Sequence, residues 1–166
     1  GGTNLGKNLR KILLDNATGE IAPRSEALLY AADRAHHVFS LIRPALERGE
    51  IVITDRYFDS SIAYQGAGRV LSSSEVARIN RWATESLFPT LTIILDQPAE
   101  IGLSRIKNAD RLESESIEFH NRVRQEYLQL AGLDPERYLV IDARKPIVEI
   151  HQEITARVSS LLKTKP

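Results

Sequence analysis

Three short apolar runs, each closed by an aspartate, constrain this chain most. They occupy residues 51–54 before Asp55, 91–95 before Asp96, and 138–141 before Asp142. Each is rich in β-branched residues and lacks the polar alternation of a half-exposed strand. That pattern predicts strands of a parallel sheet covered on both faces. Helical periodicities lie between and around them, at 5–14, 25–48, 73–87, 98–107, 113–130 and 146–162. Pro44 is expected to kink or divide the long second helix, and Gly49 to stop it. Ser73 or Ser74 is a candidate cap for the third. Strands alternating with helices predict an α/β, doubly wound parallel sheet flanked by helices, in a single domain.

Charge and composition exclude several function classes. Lys plus Arg and Asp plus Glu number 22 each, so a broad basic field for nucleic acid is not expected. The absence of cysteine rules out disulfides and thiolate metal sites, and fits a reducing, cytoplasmic compartment. No apolar run reaches the roughly 20 residues that a membrane span requires.

In open α/β sheets, ligands bind beyond the carboxyl ends of the strands. Asp55 and Arg56 follow the first apolar run. An arginine there can grip a phosphate bidentately, and an aspartate beside it can reach a magnesium shell or the phosphate-binding arginines. A lone Asp-Arg pair is more often a turn cap beside a surface arginine. The continuation through Ser61, Tyr64 and Gln65 to Gly66 adds hydroxyls, an amide and an aromatic wall, the parts a planar base needs. On the long helix, Tyr30 and Arg34 are four apart and share a face. Taken alone, such a pair is more often packing plus a surface charge. Adjacent His36 and His37 diverge by about 100° around a helix and are poor co-ligands. A third cluster, 105–113, concentrates Arg105, Lys107 and Arg111 between two helices, as either a lid over a nucleotide or a solvated connection.

The segment 26–34 (EALLYAADR), the Asp55-Arg56-Tyr57 stretch through Tyr64-Gln65-Gly66, the Asp110-Arg111-Leu112-Glu113 loop and Val140-Ile141-Asp142-Ala143 resemble bacterial thymidylate kinases, in order and in spacing. The resemblance covers nearly the whole chain. It implies the P-loop nucleoside monophosphate kinase fold, transfer of the ATP γ-phosphoryl group to dTMP with Mg2+, and a homodimer. By position, the resemblance implies that Tyr30 stacks on thymine and that Arg34 donates to a base carbonyl. It implies that Arg56 binds the dTMP phosphate and that Asp55 helps arrange phosphate and magnesium. Ser61 and Gln65 match residues that meet the base edge, and Tyr64 matches the tyrosine beneath the deoxyribose. Arg105 and Arg111 match lid arginines that approach the ATP phosphates, and Arg144 falls near the expected adenine pocket. Another nucleoside monophosphate kinase is the alternative enzyme; a non-catalytic nucleotide-binding fragment is the alternative of another class.

One family element is missing from these residues. G-x-x-x-x-G-K-[ST], whose backbone amides cradle phosphates, does not occur in the 166 residues, and neither does methionine. The expectation is that the chain is part of a longer polypeptide carrying that strand, loop, helix and strand ahead of Gly1. The 166 residues alone are then expected to fold poorly and be inactive.

Overall fold

A computed structural model describes residues 2–163. Helix α1, Asn4–Leu14, starts at Thr3, whose hydroxyl accepts from the Gly6 amide at 2.9 Å. Helix α2, Pro23–His37, opens on proline, whose missing N–H costs nothing in the first turn. The helical path continues through a π-helical turn, Val38–Ile42, into α3, Arg43–Glu47. The division expected at Pro44 takes this form: its ring crowds the carbonyl four residues earlier, and the ladder widens there. Gly49 ends the path with φ 78°, as expected.

Residues 51–54 correct the sequence expectation. They do not form a strand; Ile51 and Ile53 are 69% and 93% exposed. Apolar content favours a strand only where another strand supplies hydrogen-bond partners, and none lies alongside among the described residues. The chain then turns through Arg56 into α4, Phe58–Ser61, and a longer π-helical segment, Ile62–Gly68. Helix α5, Ser73–Ala83, is capped by Ser72, one residue ahead of the expected cap.

The other two apolar runs do form strands. β1, Thr92–Asp96, and β2, Tyr138–Asp142, pair in parallel, with Asp96 opposite Asp142. The crossover contains α6, Ala99–Leu103, and α7, Ile117–Leu133; α8, Ile147–Lys163, follows β2. α6 is shorter than expected, and α7 begins later because Ser116 caps it while 104–116 form a loop.

The core places the functional segments. Phe119 and Val123 of α7 pack against Ala63 and Leu112, drawing the π-helical segment and the 104–116 loop together. Gly68 permits that approach; a Cβ there would lie 2.7 Å from the Phe119 ring. At the other end, buried Asp59 accepts two hydrogen bonds from Arg137, at 2.9 and 3.1 Å, and one from the Tyr138 hydroxyl at 2.7 Å. This network fixes α4 to the start of β2.

Candidate active site

A cleft of about 450 Å³ opens between α2, residues 54–65 and the 110–113 turn. That volume suits a nucleotide-sized ligand. Tyr30, Arg34, Asp55, Arg56, Ser61, Tyr64 and Gln65 all line it, so residues spread over 36 positions meet in one concavity. Arg105, Arg111 and Arg144 do not line it.

Tyr30 and Arg34 form one wall because they lie one turn apart on α2. Burial, followed by the negative charge of Glu26, pushes the Tyr30 phenol up to about 12. The ring is neutral at physiological pH, as a phenol with its ordinary value already is. The Arg34 Nη1 donates to Ser61 Oγ at 3.0 Å and to Asn80 Oδ1 at 2.5 Å. Asn80 is fully buried, and its own amide nitrogen is committed to the Val76 carbonyl at 2.9 Å. Its oxygen is thus turned to Arg34, and the guanidinium is held from one side.

Arg56 stands at the other end. Its φ is 65°, a left-handed conformation that a non-glycine residue adopts at a cost of about 1–3 kcal/mol and that clusters at functional sites. The turn carries its guanidinium over the Tyr64 ring, 5.0 Å from the centroid. Asp55 beside it is exposed. Tyr64 in turn meets Phe119 and Tyr127 edge to face, at centroid distances of 6.0 and 6.5 Å. Ser60 and the Tyr127 hydroxyl, 2.6 Å apart, brace the same floor.

Glu26, fully buried, was not among the sequence candidates. Its carboxylate accepts from Gln65 Nε2 at 2.9 Å, from Arg69 at 3.2 Å through both oxygens, and from the Arg111 guanidinium. Arg111 also donates to the Leu13 carbonyl at 2.7 Å, and its backbone amide bonds Leu14. Arg111 thus anchors the 110–115 turn. Asp110 caps that turn by accepting from the Leu112 and Glu113 amides, both at 2.9 Å. Glu26 precedes Tyr30 by four residues and Arg34 by eight, so helical spacing alone could have placed it on this face. Asn80, 46 residues from Arg34, has no such signal.

The remaining cations sit elsewhere. Arg105 is exposed on the loop after α6. Arg144 forms a bidentate pair with Asp142, at 2.8 and 2.7 Å, beyond the end of β2. Among the described residues, no group of three or more His, Asp or Glu side chains could hold an ion. No helix among them is long and apolar enough to cross a membrane.

The Glu26 clamp carries a pH signature. Burial raises its carboxyl pKa, but hydrogen bonds from Arg69, Gln65 and Arg111 outweigh that and hold it below the ordinary 4.5. A depressed folded-state pKa means the unfolded chain binds the extra proton first. The contribution is therefore complete above about pH 4.5 and is lost as pH falls through the lower folded value. Thermal melts should show this acid limb, and Glu26→Gln should flatten it; an unchanged limb would remove Glu26 as its source.

A family model described as "Thymidylate kinase" matches residues 1–154. The thymidylate kinase of Leifsonia xyli subsp. xyli is 56% identical over 162 residues, covering 95% of this chain and 76% of that protein. That of Clavibacter michiganensis subsp. michiganensis is 52% identical over 166 residues, covering 98% and 78%. That of Bifidobacterium longum subsp. infantis is 49% identical over 167 residues, covering 98% and 72%.

Proposed function

The chain belongs to the thymidylate kinase family, and from that membership we propose that the cleft between α2 and residues 54–65 is its dTMP site. The family reaction moves the ATP γ-phosphoryl group to dTMP, giving dTDP and ADP. The observation that carries the site assignment is the convergence of Tyr30, Arg34, Arg56, Ser61, Tyr64 and Gln65 on one cleft. Thymine stacks on Tyr30, with its 4-carbonyl toward Arg34 and its edge toward Ser61 and Gln65. The deoxyribose lies over Tyr64, and the phosphate meets Arg56.

The acceptor oxygen already belongs to a phosphate, so no strong general base is needed. Arg56 holds that phosphate in line and offsets its charge, which makes the chemistry one of alignment and neutralisation. Asp55, exposed beside Arg56, fits the role of a magnesium-side carboxylate, because this ion is held through one or two carboxylates together with substrate phosphates and water. Bound there, the ion would supply further neutralisation of phosphate charge. Arg105 is assigned to the ATP phosphates and Arg144 to the adenine end. Arg111 reaches phosphate only when its pair with Glu26 opens. The wider reading is the doubly wound P-loop kinase fold in one domain, a cytoplasmic setting and a homodimer. The exposed Phe39, on the α2–α3 path, is apolar surface suited to a second copy.

Substrate choice tests the reading. Arginine offers donors only, so cytosine, with an amino group at position 4, leaves donor facing donor. Such a mismatch costs about 1–3 kcal/mol, whereas the 5-methyl of thymine adds only about 0.8 kcal/mol. The expected order is dTMP, then dUMP, then dCMP, with the ribonucleotide TMP poor because of Tyr64. Competition assays across these four monophosphates decide it, and Arg34→Ala should narrow the dTMP advantage over dCMP. Equal use of dTMP and dCMP by the wild-type enzyme would contradict the assignment.

A further inference from the structure

We infer that Glu26 is a positioning residue for base selection, one that fixes the amide of Gln65 with its NH2 turned away from the base and its carbonyl oxygen offered to it. The inference rests on the dTMP reading above. Gln65 lies on the π-helical segment, is 2% exposed and lines the cleft. A glutamine amide presents either donors or an acceptor, and nothing in its own chemistry chooses between them. Here the choice is made by the neighbour. Gln65 Nε2 donates to Glu26 Oε1 at 2.9 Å.

That neighbour accepts only. Glu26 is fully buried, and both of its oxygens receive arginine donors. Arg69 Nε reaches Oε1 at 3.2 Å and its Nη2 reaches Oε2 at 3.2 Å, while Arg111 Nη2 reaches Oε2. The arginines are themselves held: Arg69 by Glu115 at 2.5 Å and by the Phe119 ring, Arg111 by the Leu13 carbonyl. A buried carboxylate between two guanidinium groups stays ionised and has no proton to donate. Turning the Gln65 amide over would set its oxygen against that carboxylate, acceptor facing acceptor. The orientation is therefore single-valued.

The consequence lies at the base edge. Arg34 presents donors, and Gln65, so oriented, presents an acceptor. A pyrimidine with a carbonyl at position 4 and N3–H meets this pair acceptor to donor and donor to acceptor. Cytosine, with an amino group at position 4 and an unprotonated N3, mismatches at both places. Glu26 contacts no substrate in this arrangement; it acts through Gln65.

The test is the ratio of kcat/KM for dTMP to that for dCMP, measured on the full-length protein together with its melting temperature. Glu26→Gln replaces the acceptor-only group with an amide that accommodates either orientation of Gln65. The ratio should fall by about tenfold, the size of one neutral hydrogen bond. A purely structural Glu26 would lower turnover of both substrates alike and leave the ratio unchanged. Gln65→Leu removes the amide while keeping both arginine pairs, and should lower the ratio similarly; it decides the matter if Glu26→Gln does not fold. A wild-type ratio in folded Glu26→Gln, or in Gln65→Leu, overturns the inference. A wild-type enzyme that does not prefer dTMP overturns instead the reading on which it rests.

Discussion

Arg56→Ala is expected to lower kcat/KM for dTMP by about tenfold to a hundredfold, with the fold intact. The guanidinium lines the cleft next to Asp55 and lies over the Tyr64 ring. A hydrogen bond to a charged group contributes roughly 1.5–3 kcal/mol, and each 1.4 kcal/mol is a factor of ten. The backbone at Arg56 is in the left-handed region, so alanine inherits the same strain and the melting temperature should scarcely change. Loss of activity without loss of stability separates a phosphate-binding arginine from one that merely braces the turn. Arg56→Lys should recover only part of the loss, because an ammonium keeps the charge but not the bidentate fork. Unchanged kinetics for dTMP in Arg56→Ala would remove Arg56 from the site.

Glu26→Ala should have the opposite profile, with stability falling first. It leaves Arg69 and Arg111, whose side chains are 15% and 12% exposed, without their shared carboxylate. Removing one partner from a buried ion pair costs about 3–5 kcal/mol. For a domain of this size each kcal/mol shifts the melting temperature by about 2–4 °C, so a fall of roughly 6–20 °C is expected. Gln65, the 110–115 turn and the end of the π-helical segment all lose their anchor at once, so dTMP binding should weaken in parallel. A melting temperature within about 2 °C of wild type would show that the clamp is not a structural keystone.

The sequence made the local parts of this architecture legible. Apolar periodicity located α1, α5 and α8 to within a few residues, because each helix has one face turned to its neighbours. Proline and glycine chemistry located the break near Pro44 and the stop at Gly49. Residues 51–54 misled because a strand is a property of a pair, and β-branched content says nothing about whether a partner is alongside. The cleft was legible where its residues fall on one helical face or one continuous segment, as with Tyr30 and Arg34, or Asp55 through Gln65. It was not legible where long-range contacts decide a role. Arg111 stands in a polar, cationic loop, and its pattern alone does not reveal that a carboxylate 85 positions away holds it. Asn80 and Asp59 are polar residues within helices, and their partners Arg34 and Arg137 are distant in sequence.

The most direct test of the account is a crystal structure of the protein with dTMP bound. The base should stack on Tyr30 with its 4-carbonyl within hydrogen-bond distance of Arg34, and Gln65 Oε1 should accept from N3–H. The sugar should rest on Tyr64 and the phosphate on Arg56. A nucleotide seated outside this cleft, or one inside it with its phosphate at Arg34 and its base at Arg56, would contradict the account.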